Sequence, residues 1–144
     1  MQLRSSNMEI TKAHLSELSY KIIGCAIEVH RELGPGLLES VYEKCFIHEL
    51  IAAGLSVRSQ KTVGLNYKGL DLDVDLRYDV LVEGLIVVEL KAMDGLLPIH
   101  EAVLLTYMKL LKKPKGILIN FNSTNIMKNG LKTMVNELFA NLPD

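Results

Sequence analysis

The chain has 144 residues, 49% of them hydrophobic and 23% charged. That is the size and make-up of one ordinary globular domain, and it excludes global disorder. Lys and Arg number 16 against 17 Asp and Glu, a net charge of −1, so nucleic acid or membrane cannot be bound through bulk charge and would need a local patch. No apolar run approaches the ~20 residues of a bilayer span. Met1 to Ile10 contains no apolar stretch of the secretory kind. Cys25 and Cys45 cannot by themselves make a disulfide framework or a four-ligand zinc site. The expectation is a cytoplasmic protein with a loose segment at 1–10 and a single domain at 11–144.

From Thr11, a plausible N-cap, the sequence reads as helix. Leu15, Leu18, Ile22, Cys25, Val29 and Leu33 form one apolar stripe at steps of three and four. Gly34-Pro35-Gly36 stops that helix. A second helix is predicted from about Leu37 to Ala53, with Leu38, Val41, Cys45, Phe46 and Leu50 as its apolar positions and Gly54 just past its end. The period then changes. Val57 to Tyr67 reads as a strand with an irregularity at Gly64. Leu70 to Val82 alternates apolar and charged residues, the mark of a strand with one buried face. Leu85 to Ala92 is β-branched and aliphatic, as in a deeply buried strand. Pro98 opens a helix to about Leu111, Lys115 to Phe121 is a further buried strand, and the tail from Ile126 favours a short closing helix. The order predicts a three-strand meander, then a β-α-β crossover, in a mixed α/β sheet flanked by helices.

Glu89 and Lys91 stand at the end of an otherwise apolar strand, two apart and so on the same face. Charges there are costly unless paired or bound to a metal. Whether Asp79 joins them depends on the hairpin register. A two-residue loop at Glu83-Gly84 pairs Asp79 with Val88; a three-residue loop, or a bulge, pairs Asp79 with Glu89 and is the register expected. Two converging carboxylates suit a hard cation such as Mg²⁺. Spacing alone leaves open a plain salt bridge of Glu89 with Lys91 or Arg77. Glu39 and Tyr42, three apart on the second helix, share a face. Glu39 is either a third carboxylate for the site or an ordinary first-turn glutamate.

Taken together, Gly36-x-x-Glu39-x-x-Tyr42, Arg77-x-Asp79 and Val88-Glu89-Leu90-Lys91-Ala92 resemble the bacterial GxxExxY proteins, as do the stretches IIGCAIEVHRELGPGLLESVYE and GILINFN. The resemblance runs from about Leu18 to Gly130. That family sits in the PD-(D/E)XK nuclease-like superfamily, which implies a restriction-endonuclease-like α-β-β-β-α-β core, here with an extra N-terminal helix. The resemblance implies that Asp79, Glu89 and Glu39 bind Mg²⁺ or Mn²⁺, with the main-chain carbonyl of Leu90 a further ligand and Lys91 the catalytic lysine. Related nucleases carry Gln-x-x-x-Tyr on the following helix; Tyr107 matches, but Val103 stands where the glutamine would be.

The implied activity is hydrolysis of DNA or RNA phosphodiesters by a metal-activated water, leaving a 5′-phosphate. The alternative is a nuclease-fold binding or assembly module with little catalysis, able to pair as a homodimer. Lys109, Lys112, Lys113 and Lys115 either contact a phosphate backbone together with Tyr107 or serve the helix C-terminus. His14, His30, His48 and His100 show no metal-ligand spacing, with His100 and Glu101 the nearest to an exception. Both cysteines fall on apolar helix faces. A hydrolase built on His100 or a cysteine has the least support.

Overall fold

The computed structural model describes residues 9–73 and 76–144. Residues 1–8, within the segment expected to be loose, and 74–75, within the expected long strand, lie outside the described residues. Helix α1 spans Lys12–Leu33, and the Thr11 side chain caps it by accepting from the His14 N–H at 3.0 Å. Its stripe is buried from Leu15 to Val29, while Leu33 at the last turn is exposed. Gly34 and Gly36, both at positive φ, turn the chain into helix α2, Glu39–Ala52.

The buried seam of α2 keeps Phe46 and Leu50 of the expected set, with Cys45 partly buried, and differs at Leu38 and Val41. Tyr42, Phe46 and Leu50, at steps of four, are buried, whereas Leu38 and Val41 are exposed. The reason lies in Tyr42. Its ring stacks on Phe121 at 4.8 Å, and its hydroxyl donates to the Gly34 carbonyl at 2.5 Å and accepts from the Leu37 N–H at 3.2 Å. A tyrosine whose hydroxyl is satisfied this way buries its ring without an orphan polar group, and so sets the helix rotation.

The expected strand Val57–Tyr67 divides into β1 (Val57–Ser59) and β2 (Leu65–Tyr67). The expected strand Leu70–Val82 divides into β3 (Leu70–Leu72) and β4 (Val80–Val82). β2 and β3 form a separate hairpin, with Leu70 and Leu72 exposed in spite of the alternation. β1 pairs antiparallel with β4, and the bridge Thr62↔Arg77 keeps that register. The next pair is Leu65↔Leu72. Two residues separate these pairs on the outgoing side and four on the return, so one continuous ladder is impossible.

β5 spans Ile86–Lys91, α3 Pro98–Leu111 and β6 Lys115–Asn120. β4 pairs antiparallel with β5, and β5 pairs parallel with β6 through the α3 crossover, as expected. The tail differs. After a turn of helix α4 (Ile126–Asn129), Leu131–Val135 forms β7, antiparallel to β6, and a short α5 (Glu137–Ala140) follows. Gly130 permits this: a Cβ there would lie 2.7 Å from the Asn120 carbonyl, and the Asn120 N–H donates to Gly130 O at 2.7 Å. That backbone pairing starts the edge strand where side-chain spacing alone suggested a helix.

The main sheet has the order β1-β4-β5-β6-β7. One face, with Val80, Val82, Ile86, Val88 and Leu90, packs on α1 and α2. The other, with Leu81, Val87 and Leu118, packs on Leu104 and Met108 of α3. This is the mixed α/β architecture expected, a helix-flanked sheet consistent with a restriction-endonuclease-like fold, with one inserted hairpin and one added edge strand. No described helix is long and apolar enough to cross a membrane.

Candidate functional site

The β4–β5 turn decides what stands together at the sheet end. The pairs are Val82↔Ile86, Leu81↔Val87 and Val80↔Val88, the three-residue register. Glu83 (φ 55°) and Gly84 (φ 65°) are both left-handed, the backbone of a type I′ turn rather than the type I turn that register usually takes. The Glu83 carboxylate accepts from the Ser56 N–H at 2.6 Å, and the Glu83 N–H donates to Ser56 O at 2.8 Å. Those two bonds hold a non-glycine residue in the conformation it disfavours.

One rung beyond Val80↔Val88, Asp79 and Glu89 interlock. The Asp79 N–H donates to Glu89 Oε1 at 3.2 Å, and the Leu90 N–H donates to Asp79 Oδ2 at 2.8 Å. Glu89 is 5% exposed. Burial first, then the Asp79 carboxylate, pushes its acid up to about 8, with Lys91 pulling the other way. Lys91 is half-buried at the end of β5. The chain after it is clamped: the Phe121 N–H donates to Lys91 O at 2.9 Å, and buried Asn120 accepts from the Met93 N–H and donates to Met93 O.

Glu39 reaches this group from the first turn of α2. Partial burial raises its acid, and the Asp79 charge adds to this while Lys91 opposes it. The Gly-x-x-Glu-x-x-Tyr spacing thereby acquires a physical sense. Gly36, at φ 106°, bends the chain and donates its N–H to Asn122 beyond β6 at 2.9 Å. Tyr42 pins α2 to Phe121, and Glu39 between them is directed toward the sheet end.

Two members of the group were missed from sequence. Glu43, also raised by burial and by Asp79, lies one turn after Glu39. The i,i+4 spacing was a usable signal for it. Gln60 donates from Nε2 to both Glu43 oxygens at 3.1 and 3.2 Å and lies 3.4 Å from Asp79 Oδ1. Its backbone is left-handed (φ 51°), and its N–H donates to Asp79 O at 3.1 Å. Only the β1–β4 register reveals it.

Other expected contacts are not brought here. Tyr107 and Val103 line an apolar cavity of about 290 Å³ with Leu76 and Ile99, and none of the carboxylates lines it. The lysine run divides. Lys115 is buried, with Nζ 5.6 Å from the Phe139 ring centre, and burial lowers its basicity. It therefore offers no surface ammonium to a phosphate. It also sits opposite Ile86, at the end of the parallel pair away from Lys91↔Asn120. Lys109 and Lys112 line a separate cavity with Asn136 and Glu137. His100 Nδ1 accepts from the Leu97 N–H at 2.9 Å as a helix cap, and Glu101 pairs with Lys132 at 3.5 Å. Both have structural partners.

Among the described residues, no three His, Cys, Asp or Glu side chains form a closed metal cluster. The donor chemistry nevertheless fits a hard cation. Asp79, Glu89 and Glu39 offer only oxygens, the carboxylates of the group outnumber its one ammonium, and burial, with the Asp79 charge added, raises the acids of Glu39, Glu43 and Glu89.

No curated protein and no solved structure matches the chain. A protein-family model does, over residues 16–134, and its description is the PD-(D/E)XK nuclease superfamily. The matched span takes in α1 from Ser16, all of α2 and the whole five-stranded sheet short of its last residue, and on that match the chain belongs to the PD-(D/E)XK nuclease superfamily.

Proposed function

We propose that this protein is a metal-dependent phosphodiesterase acting on DNA or RNA, with residues 11–144 as one nuclease domain of the GxxExxY kind. The observation that carries the reading is the interlocked Asp79–Glu89 pair, with Lys91 beside it, at the end of a buried strand. An ion pair alone would leave the acids outnumbering the base in a half-buried site, which is unfavourable without a further cation. Asp79, Glu89 and Glu39, with the Leu90 carbonyl, would hold one or two Mg²⁺ or Mn²⁺ ions. Such an ion, when bound, acidifies water and neutralises charge on the scissile phosphate. The Lys91 ammonium orients the attacking water and donates to the phosphate oxygens as negative charge builds on them. Gln60 bridges Glu43 and Asp79 and so holds the two carboxylates side by side.

A second reading, a nuclease-fold binding module with little catalysis, is favoured by Val103, which puts an exposed apolar side chain on α3 where related enzymes carry glutamine. Calorimetry with Mn²⁺ separates the two. The nuclease reading expects binding by wild type and none by Asp79→Ala. Absence of binding by wild type, with oligonucleotide present as well as without, would favour the binding module.

A further inference from the structure

A groove of about 950 Å³ opens along the free edge of the sheet, lined by Arg58 and Lys61 on the β1 side, Tyr78 and Leu81 on the β4 side, and Leu111 and Lys113 at the end of α3. No acidic residue lines it. Among the described residues, none of its three cations is in an ion pair. Arg58 and Lys61 are exposed, and Arg58 acts electrostatically on the Tyr78 hydroxyl, so its charge reaches into the groove. The three cations make a local positive patch in a chain of net charge −1, with Glu83 lining the adjoining recess that Arg58 and Lys113 also border.

The backbone fixes where this groove leads. The Tyr78 N–H donates to Lys61 O at 3.3 Å, and the Gln60 N–H donates to Asp79 O at 3.1 Å. Lys61 and Tyr78 in the groove are therefore chain neighbours of Gln60 and Asp79 in the carboxylate group. Cations along one edge attract a polyanion, and carboxylates at the end of that edge exclude it unless a cation intervenes. Of the lysine run read from sequence, only Lys113 lines this groove.

We propose that this groove binds the phosphodiester backbone of a nucleic acid strand through Arg58, Lys61 and Lys113 and delivers it to Asp79. The proposal rests on the nuclease reading for its direction, but the binding itself does not require catalysis.

The test is fluorescence anisotropy of labelled single-stranded 20-nucleotide DNA and RNA probes of mixed sequence, in EDTA, over a salt series. Wild type is compared with Arg58→Glu/Lys61→Glu, with the neutral pair Arg58→Gln/Lys61→Gln, and with Lys21→Glu, an exposed site on α1 across the sheet. Three phosphate contacts give a slope of log affinity against log salt of about −2. The reversal pair should weaken binding at least ~10-fold at 0.1 M salt and the neutral pair should at least halve the slope, with Lys21→Glu unchanged. Equal loss in Lys21→Glu, no loss in either groove pair, or no binding of either probe by wild type would overturn the proposal. Circular-dichroism melts of all variants guard against misfolding, and the neutral pair carries the test should the reversal pair not fold. Mn²⁺ calorimetry on the same proteins keeps the two readings apart. Groove-dependent binding without Mn²⁺ binding would remove the catalytic reading and leave the groove, whereas Mn²⁺ binding with groove-independent affinity would do the reverse.

Discussion

Glu89 is held in place by a main-chain N–H and kept from water by the sheet around it, yet the charge that acts on it most strongly is another carboxylate's. Its acid, ordinarily near 4.5, is pushed up to about 8. Between those values the folded protein holds a proton that the unfolded chain has released. Without divalent metal, stability should therefore be greatest below about pH 4.5 as far as this group is concerned, and should fall as pH rises toward 8. Glu89→Gln removes the penalty. At pH 8 in EDTA it should be more stable than wild type by on the order of 3 kcal/mol in urea melts, and the gap should close toward pH 5. A gap that does not change with pH would show that the carboxyl is not buried beside a charge. Lys91 is the converse case: its charge partly offsets Glu89 and Glu39, and on the nuclease reading it also serves the reacting phosphate. Lys91→Ala should melt within ~1 kcal/mol of wild type and lose cleavage ~100-fold or more. Unchanged cleavage by that variant would end its assigned role.

At the scale of elements, two close approaches hold the frame on which the site stands. α3 lies so near β6 that a Cβ on Gly116 would meet Met108 Sδ at 2.7 Å and Leu104 Cδ1 at 2.8 Å. Gly116→Ala should cost about 1–3 kcal/mol of stability in a denaturant titration, because both contacts are themselves fully buried. A neutral result would mean that α3 can shift without loss. On the other face, Tyr42→Phe keeps the stack on Phe121 but leaves the Gly34 carbonyl without its 2.5 Å donor. It should cost about 1 kcal/mol, and it should weaken metal binding as well if the start of α2 positions Glu39.

For the whole molecule, the site exists only where three separately packed parts meet: the β4–β5 pair, the first turns of α2 and the residue after β1. A cation bound there is a ligand of the folded state alone, so Mn²⁺ should raise the melting temperature. At 100 times its dissociation constant the gain is ~2.7 kcal/mol, a shift of several degrees for a chain of this size. EDTA should reverse it, and Asp79→Ala should abolish it. An equal shift in Asp79→Ala would place the metal elsewhere.

Much of this was determined by sequence alone. The α1 stripe, the Thr11 cap and the glycine turn before α2 follow from local periodicity and backbone conformation, which act over a few residues. Glu89 and Lys91 stood out because charges at the end of a buried strand need an explanation. The tertiary structure decided the rest, because it depended on which distant segments pair. The alternation from Leu70 to Val82 was real in sequence, but the two-residue mismatch with the outgoing segment broke the ladder and left Leu70 and Leu72 exposed. The tail became an edge strand because Gly130 could approach Asn120. Glu43 had only its i,i+4 spacing from Glu39 to mark it, and Gln60 and the basic groove have no local signature, since each is defined by what lies across a strand boundary from it. A one-residue change of register at Glu83-Gly84 would have turned Glu89 away from Asp79, and long-range hydrogen bonds from Ser56 to that turn are what fix the choice.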